Sequence, residues 1–62
     1  PRTANVILLG ALSALMERHP ATIPQVPVDV WLSVIIERVP PKYVELNKRA
    51  FAAGREAVLH PA

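Results

Sequence analysis

The sequence contains no cysteine, little charge and no long hydrophobic run. Without cysteine, no disulfide, iron–sulfur cluster or thiolate zinc site can strengthen a small core. Only 19% of the residues are charged, and the seven basic residues are scattered, so the clustered charge of a nucleic-acid interface is missing. The longest uncharged apolar stretch, residues 4–16, is shorter than the about 20 residues that span a bilayer.

The same stretch follows Arg2 and therefore has the outline of a secretory signal. However, Glu17, Arg18 and His19 stand where the small residues of a cleavage site belong. We therefore disfavour both the secretory and the membrane-spanning interpretations and expect a cytoplasmic protein. The chain begins with Pro1, which fits either a processed start or a piece of a longer protein, and both remain open.

Apolar residues are what the chain has in excess. They make up 52% of the 62 residues, and the mean hydropathy is +0.28, which is too apolar for a disordered chain. A chain of this length normally buries only about 60% of the surface that its unfolded form exposes. We therefore expect one helical segment over residues 1–62 that depends on helix packing, or on a partner, for the rest of its burial.

Proline divides the chain into three segments with helical spacing. The first, 4–18, begins after Thr3, whose hydroxyl is suited to cap a helix. The second, 28–39, repeats apolar residues at spacings of three and four, although its β-branched content keeps a strand as the alternative. The third, 42–59, follows Pro41, a residue favoured in the first turn of a helix. The sequence therefore predicts an all-α fold of three helices.

The connector between the first two helices, residues 19–27, contains three of the seven prolines. Proline removes an amide donor and fixes the backbone angle φ. We therefore expect an extended, ordered strap rather than a flexible linker.

Two glycines stand inside helical patterns, Gly10 in the first helix and Gly54 in the third. Each costs about 1 kcal/mol relative to alanine, so another interaction should offset this cost. Because glycine lets a second element approach closely, we expect tight crossings at these positions. The alternative is a weak point in the helix, mainly for Gly54 near the end.

Two further features indicate burial. Asn47 falls in the apolar stripe of the third helix, where an unpaired amide costs about 1–3 kcal/mol, so we expect it to bind a backbone group as a latch. The first helix is apolar on every side, which is typical of a helix enclosed by a larger protein. We infer that it is covered by the rest of its domain or by an oligomeric partner.

The sequence indicates no catalytic, cofactor-binding or metal-ligating residue, so whether the segment belongs to an enzyme is left open. Ser13 and Ser33 lack a neighbouring base held by a third group. His19 and His60 are far apart and suit a helix end and a chain terminus better than a metal site. Gly10 lacks the further glycines of a dinucleotide-binding loop.

Two motifs occur in the order found in a known family. Residues 5–12 read Asn-Val-Ile-Leu-Leu-Gly-Ala-Leu, similar to an Asn-x-x-x-Leu-Gly-Ala-Leu helix. Residues 41–47 read Pro-Lys-Tyr-Val-Glu-Leu-Asn and are followed by Ala50, Phe51 and Gly54, similar to a closing Leu-Asn-x-x-Ala-Phe-x-x-Gly motif. These motifs resemble the C-terminal end of the gamma-type subunit, or catalytic domain, of 2-oxoacid:ferredoxin oxidoreductases. The region from Trp31 to Pro41 is most similar to the indolepyruvate members.

The resemblance implies a parent complex that oxidatively decarboxylates a 2-oxoacid to its acyl-coenzyme A and passes electrons to ferredoxin. It implies thiamine diphosphate, magnesium, iron–sulfur clusters and coenzyme A in that complex, with none of them held by this segment. The segment would be the C-terminal helical part of a larger α/β domain. Its partners would be the remainder of its subunit and the thiamine- and iron–sulfur-binding subunits, without nucleic acid or membrane. The candidate structural or interface residues are Asn5, Gly10, Trp31, Asn47, Phe51 and Gly54.

Two other classes stay open beside this resemblance. A free-standing helical interaction or oligomerisation module would bind an amphipathic partner, or a copy of itself, through its apolar face. This class explains the apolar excess equally well. A membrane-surface helix is the weaker alternative, because Lys48, Arg49 and the first helix do not form one basic and apolar wheel.

Overall fold

The computed structural model describes residues 2–61, with side chains described for residues 4–61. These residues form helix α1 at Arg2–Glu17, helix α2 at Val28–Arg38, a 3-10 turn at Pro41–Tyr43 and helix α3 at Val44–Leu59. Within the described range there is no strand. The all-α prediction is confirmed, and the strand alternative for the second segment is wrong.

The helix bounds differ from the predicted ones by one or two residues. Helix α1 begins at Arg2, so Thr3 lies within its first turn and is not the N-cap, and the Thr3 side chain lies outside the described residues. The third segment opens as a 3-10 turn because the Tyr43 amide donates to the Pro40 carbonyl oxygen at 2.9 Å. Such tight turns are frequent at helix starts.

The connector is ordered, as expected, but only its second half is extended. Its first half is a turn in which the Ile23 amide donates to the His19 carbonyl oxygen at 3.0 Å. Pro27, at its end, has the extended angles φ −58° and ψ 147°. The Gln25 side-chain amide donates to the carbonyl oxygens of Met16 and Ile23, both at 2.9 Å. The Met16 carbonyl oxygen, in the last turn of α1, also accepts from the His19 amide at 3.1 Å, so the strap adds a second bond at that helix end.

Helices α1 and α3 form the main packing unit, and α2 packs against α3. The contacts run from Gly10 with Phe51 to Arg18 with Val58, so α1 and α3 point in the same general direction. Phe51 is 1% exposed and is the largest fully buried side chain. The core contains Val6, Ile35, Ala50 and Phe51, bordered by Val28, Trp31, Leu32 and Val39.

The body is flat and leaves much of its surface in solvent. Its extents are 37 × 26 × 15 Å, and its accessible surface is 4575 Å². A folded monomer of 6.8 kDa is expected to expose about 3950 Å², so the chain exposes about 600 Å² more than that. The chain thus folds as an open layer of helices with unburied apolar side chains.

We expect Phe51→Ala to remove most of the stability of the chain. Truncating a buried phenylalanine costs about 3–5 kcal/mol, whereas a chain of this length has only about 3–9 kcal/mol in total. The matched control is Leu46→Ala on the same helix, where the side chain is half exposed and the expected loss is below about 1 kcal/mol. Urea unfolding followed by far-UV circular dichroism measures both, and equal losses would contradict the central place of Phe51.

Candidate functional site

Helices α1 and α3 cross in direct backbone contact at two glycines. A Cβ atom added at Gly10 would overlap the carbonyl oxygen of Phe51 and lie 2.9 Å from its carbonyl carbon. A Cβ atom at Gly54 would overlap the carbonyl oxygen of Ile7 and lie 2.9 Å from the Ala11 amide nitrogen. Carbon contacts are normally about 3.5–4.0 Å, so no side chain fits at either position.

The two glycines act as a reciprocal pair, because each helix presents a glycine to the backbone of the other. Both are buried and neither has a positive φ, so conformational freedom does not explain them. The close crossing predicted from the sequence is confirmed for Gly10 and for Gly54. The alternative that Gly54 is only a weak point near the helix end is wrong.

An arginine on α3 ties the C-terminal half of α1 to the crossing. Arg55 donates to the Ser13 hydroxyl oxygen at 3.0 Å and to a Glu17 carboxylate oxygen at 2.9 Å. Ser13 in turn donates to the Gly10 carbonyl oxygen at 2.8 Å, so the chain of bonds reaches the glycine itself. A guanidinium suits this geometry because its donors are held in a rigid fork.

A second arginine secures the far end of the same pair of helices. Arg18 donates to the Val58 carbonyl oxygen at 3.0 Å, next to the C-terminus of α3. Neither arginine contact was predicted from the sequence. Ser13 in an apolar helix and Arg55 directly after Gly54 were the available signals, but nothing in the sequence sets the register between α1 and α3.

Asn47 is buried, and its side chain binds the backbone as expected. Its amide nitrogen donates to the Tyr43 carbonyl oxygen at 2.8 Å, which joins the 3-10 turn to α3. Its side-chain oxygen is buried and has no hydrogen-bond partner among the described residues. The Asn47 latch is therefore local, within one helix turn, and its hydrogen bond satisfies the side-chain nitrogen but not the oxygen.

The structure brings together only some of the six candidate residues. Gly10, Phe51 and Gly54 meet at the crossing, and the half-buried Trp31 ring lies 6.2 Å from the Phe51 ring at a tilt of 38°. This arrangement is within the range of favourable aromatic pairs. Asn47 lies one turn before Phe51, on the same buried side of α3. Asn5 is exposed on α1 and takes no part in the crossing.

The side of α1 that faces away from α3 is apolar and exposed. Leu8, Leu12 and Leu15 lie there, and Leu8 is 67% exposed. The buried residues of α1, including Val6, Gly10 and Ser13, fall on the opposite side of the helix. Most of the apolar excess recognised in the sequence is therefore not covered by the fold.

An open groove of about 260 Å³ lies between α2 and α3. It is lined by Val28, Leu32, Lys48, Phe51, Ala52, Arg55, Glu56 and Leu59. Of its charged residues, Arg55 is already bonded to α1. No three His, Cys, Asp or Glu side chains in the described part of the chain come together as metal ligands. The described residues thus form packing contacts between helices and an exposed apolar surface.

Comparison with known proteins leaves the resemblance a prediction. No family model, curated protein or solved structure matches this chain. Over residues 2–61, no helix has both the length and the apolar character to cross a membrane.

Alanine at either glycine should destabilise the chain by about 2 kcal/mol, because the added methyl group forces α1 and α3 apart. Whether alanine lowers or raises the free energy of unfolding distinguishes a close crossing from a weak point in the helix. A glycine that only weakened its helix would give a gain of about 1 kcal/mol on the same substitution. Gly10→Ala and Gly54→Ala are compared with Ala53→Gly, an exposed site on α3 that calibrates helix propensity, in urea unfolding.

The bonds that Arg55 makes to Ser13 and Glu17, which we call the arginine clamp, should contribute measurably to the free energy of unfolding. We expect Arg55→Met to lose about 1–3 kcal/mol, because it removes the part-buried bond to Ser13 together with the exposed bond to Glu17. Glu17→Gln should lose less than about 1 kcal/mol, since that carboxylate is half exposed. The control is Arg49→Met on the exposed side of α3, with a change within about 0.5 kcal/mol. Equal losses at Arg55 and Arg49 in thermal unfolding would exclude the clamp.

Proposed function

We propose that this chain is the C-terminal structural and interface segment of the gamma-type subunit of a 2-oxoacid:ferredoxin oxidoreductase, with indolepyruvate as the favoured substrate of the whole complex. The complex oxidatively decarboxylates the 2-oxoacid in the cytoplasm. This segment contributes packing to that complex and carries none of its reacting groups. The supporting observation is that the two motifs behind the resemblance meet in one contact.

That contact explains why both motifs contain glycine. Gly10 of the first motif packs on the backbone of Phe51 in the second, and Gly54 of the second packs on the backbone of Ile7 in the first. A side chain at either glycine would separate the helices. The residues that carry the resemblance are therefore the residues that determine how α1 and α3 cross, which supports treating the two motifs as one unit.

The exposed apolar surface supports an interface role. A patch of several leucines is rarely left in solvent by a protein that works alone. In the proposed parent, the remainder of the subunit and the neighbouring thiamine- and iron–sulfur-binding subunits share the covering of this surface. Contacts with these other parts of the complex then bury the apolar surface that the short segment cannot bury by itself.

The cofactors of the proposed parent do not fit the residues of this segment. An iron–sulfur cluster is held by cysteine thiolates, and the sequence contains no cysteine. The described residues offer no cluster of carboxylates or imidazoles for magnesium. The resemblance assigns thiamine diphosphate, magnesium, the clusters and coenzyme A to other parts of the complex.

A free-standing helical interaction module is the second candidate. The observation that favours it is the core around Phe51, which α1, α2 and α3 build without any other chain. In this case the same apolar surface would bind an amphipathic helix of another protein or of a second copy.

The test is the intact mass of the native polypeptide in its source. An antibody raised against residues 44–59 captures the protein, and peptide mapping then searches for sequence upstream of Pro1. We expect a mass far above 6.8 kDa, with identified oxidoreductase subunits co-purifying. The control is the same capture after the antibody has been saturated with the synthetic peptide.

The opposite outcome is equally informative. A native mass of 6.8 kDa without oxidoreductase subunits would sink the enzyme assignment and leave the interaction module. A high mass whose upstream peptides belong to a different kind of protein would also overturn the proposal.

A further inference from the structure

The outer face of α1, which we define as Asn5, Leu8, Leu12 and Leu15, has a regular spacing that no contact within the chain uses. The four residues follow one another at intervals of three, four and three, and all of them are exposed. Residues at these intervals form a straight seam along one side of a helix. The glycine crossing lies on the opposite side, so the seam is open along its length.

The spacing of the outer face is that of the seam positions of a helix pair. In a heptad repeat, alternate steps of three and four place apolar residues where a second helix packs. The three leucines are the apolar members here, and Asn5 is a polar member at one end of the seam. The sequence therefore supplies the pattern of a helix-on-helix contact on the very side of α1 that the fold leaves bare.

The charge of this face limits what can cover it. From residue 4 to residue 16 there is no ionisable side chain; in the sequence, Arg2 comes before this stretch, and Glu17 and Arg18 come after it. A partner must therefore present an uncharged apolar stripe of similar length in the middle and polar groups at its ends. A second copy of the same face meets both conditions.

The area that needs covering suits a small interface between two copies. Each chain exposes about 600 Å² more than a folded monomer of its mass, from 4575 Å² against about 3950 Å². Exposed apolar side chains of α2 and α3 share in this excess, so two outer faces of α1 bury less than about 1,200 Å² in total. An interface of this size belongs with weak, transient contacts rather than with permanent ones.

We propose that two copies of this chain pair through the outer faces of α1 in antiparallel orientation. The two-fold axis passes near Leu12, so that Leu12 meets its own counterpart and Leu8 of one copy packs beside Leu15 of the other. Such a contact is self-complementary and closes at two copies. This inference belongs with the free-standing candidate, in which the outer faces of α1 are available to each other. In the proposed parent enzyme, other parts of the complex cover the same leucines.

Antiparallel pairing follows from the two ends of the helix. In this orientation the N-terminal end of one α1 lies beside the C-terminal end of the other, so the two helix dipoles attract. Asn5 of one copy then lies near Glu17 and His19 of the other, where its amide has polar partners. A parallel pair would instead place the two negative helix ends together.

The outer side of α2 is a poorer candidate for the same contact. Val30 and Val34 are exposed there, but Asp29, Ser33 and Glu37 lie beside them on the exposed part of the helix. A copy packed on this side would bury carboxylates without partners. The exposed side of α2 therefore provides the control for the experiment.

Sedimentation equilibrium of the 62-residue chain tests the pairing. We expect the wild type to pass from 6.8 kDa towards twice this mass as its concentration rises from about 1 to about 500 µM, because a small interface associates weakly. Leu8→Glu, at the most exposed position of the seam, should weaken pairing by at least about a hundredfold, because it buries a carboxylate in an apolar contact.

Matched controls separate the seam from a general effect of charge. Leu12 and Val34 are exposed to 46% and 47%, so Leu12→Glu and Val34→Glu place the same charge at equally exposed sites on different helices. We expect only Leu12→Glu to give a monomer, with the far-UV spectrum unchanged. A wild type that is monomeric throughout, or equal effects of the two substitutions, would overturn the proposal.

Cross-linking determines the orientation, and the absence of native cysteine makes each engineered thiol unique. Under mild oxidation, Leu12→Cys should form a disulfide-linked dimer, whereas Asn5→Cys alone should not. A mixture of Asn5→Cys and His19→Cys should form the mixed dimer. Efficient linkage of Asn5→Cys to itself would show a parallel pair and contradict the antiparallel arrangement.

Discussion

The fold depends on how closely α1 and α3 can approach each other. With a glycine on each helix, the backbone of one reaches the backbone of the other at two points, and every other contact is arranged around that distance. Ser13 can bridge the Gly10 carbonyl oxygen and Arg55 only because the helices are this near. The crossing therefore compensates for a core that is too small to hold three helices by apolar burial alone.

A core built in this way is narrow, and many large apolar side chains stay exposed to solvent. Phe51 fills the space beside the crossing, and Trp31 brings α2 against it. Small residues at the contact give proximity but little buried area, so the large apolar side chains of α1 point outward instead of inward. The same feature that makes α1 and α3 fit together thus explains why Leu8, Leu12 and Leu15 are left for a partner.

The sequence predicted the local features well, because they follow from short-range rules. The three helices and the backbone bond of Asn47 each depend on residues a few positions apart, and a glycine within a helical pattern predicts a close approach without identifying the segment that approaches it. The prediction of an extended backbone was wrong for the first half of the strap. Proline also favours turns, and the His19 carbonyl oxygen accepts the hydrogen bond that closes one. The arginine clamp could not be predicted, because Arg55 and Ser13 are brought together only by the register of two distant helices.

The similar direction of α1 and α3 has a consequence for how the chain acquires its structure. Two neighbouring helices that point the same way cannot be joined by a short turn, so the strap and all of α2 must lie between them. The contact between Gly10 and Phe51 closes a loop of most of the chain, and loop closure of this kind slows folding relative to a simple helical hairpin. Slow closure of this kind prolongs the time for which the apolar side of α1 that packs on α3 is uncovered, and transiently exposed apolar surface favours aggregation.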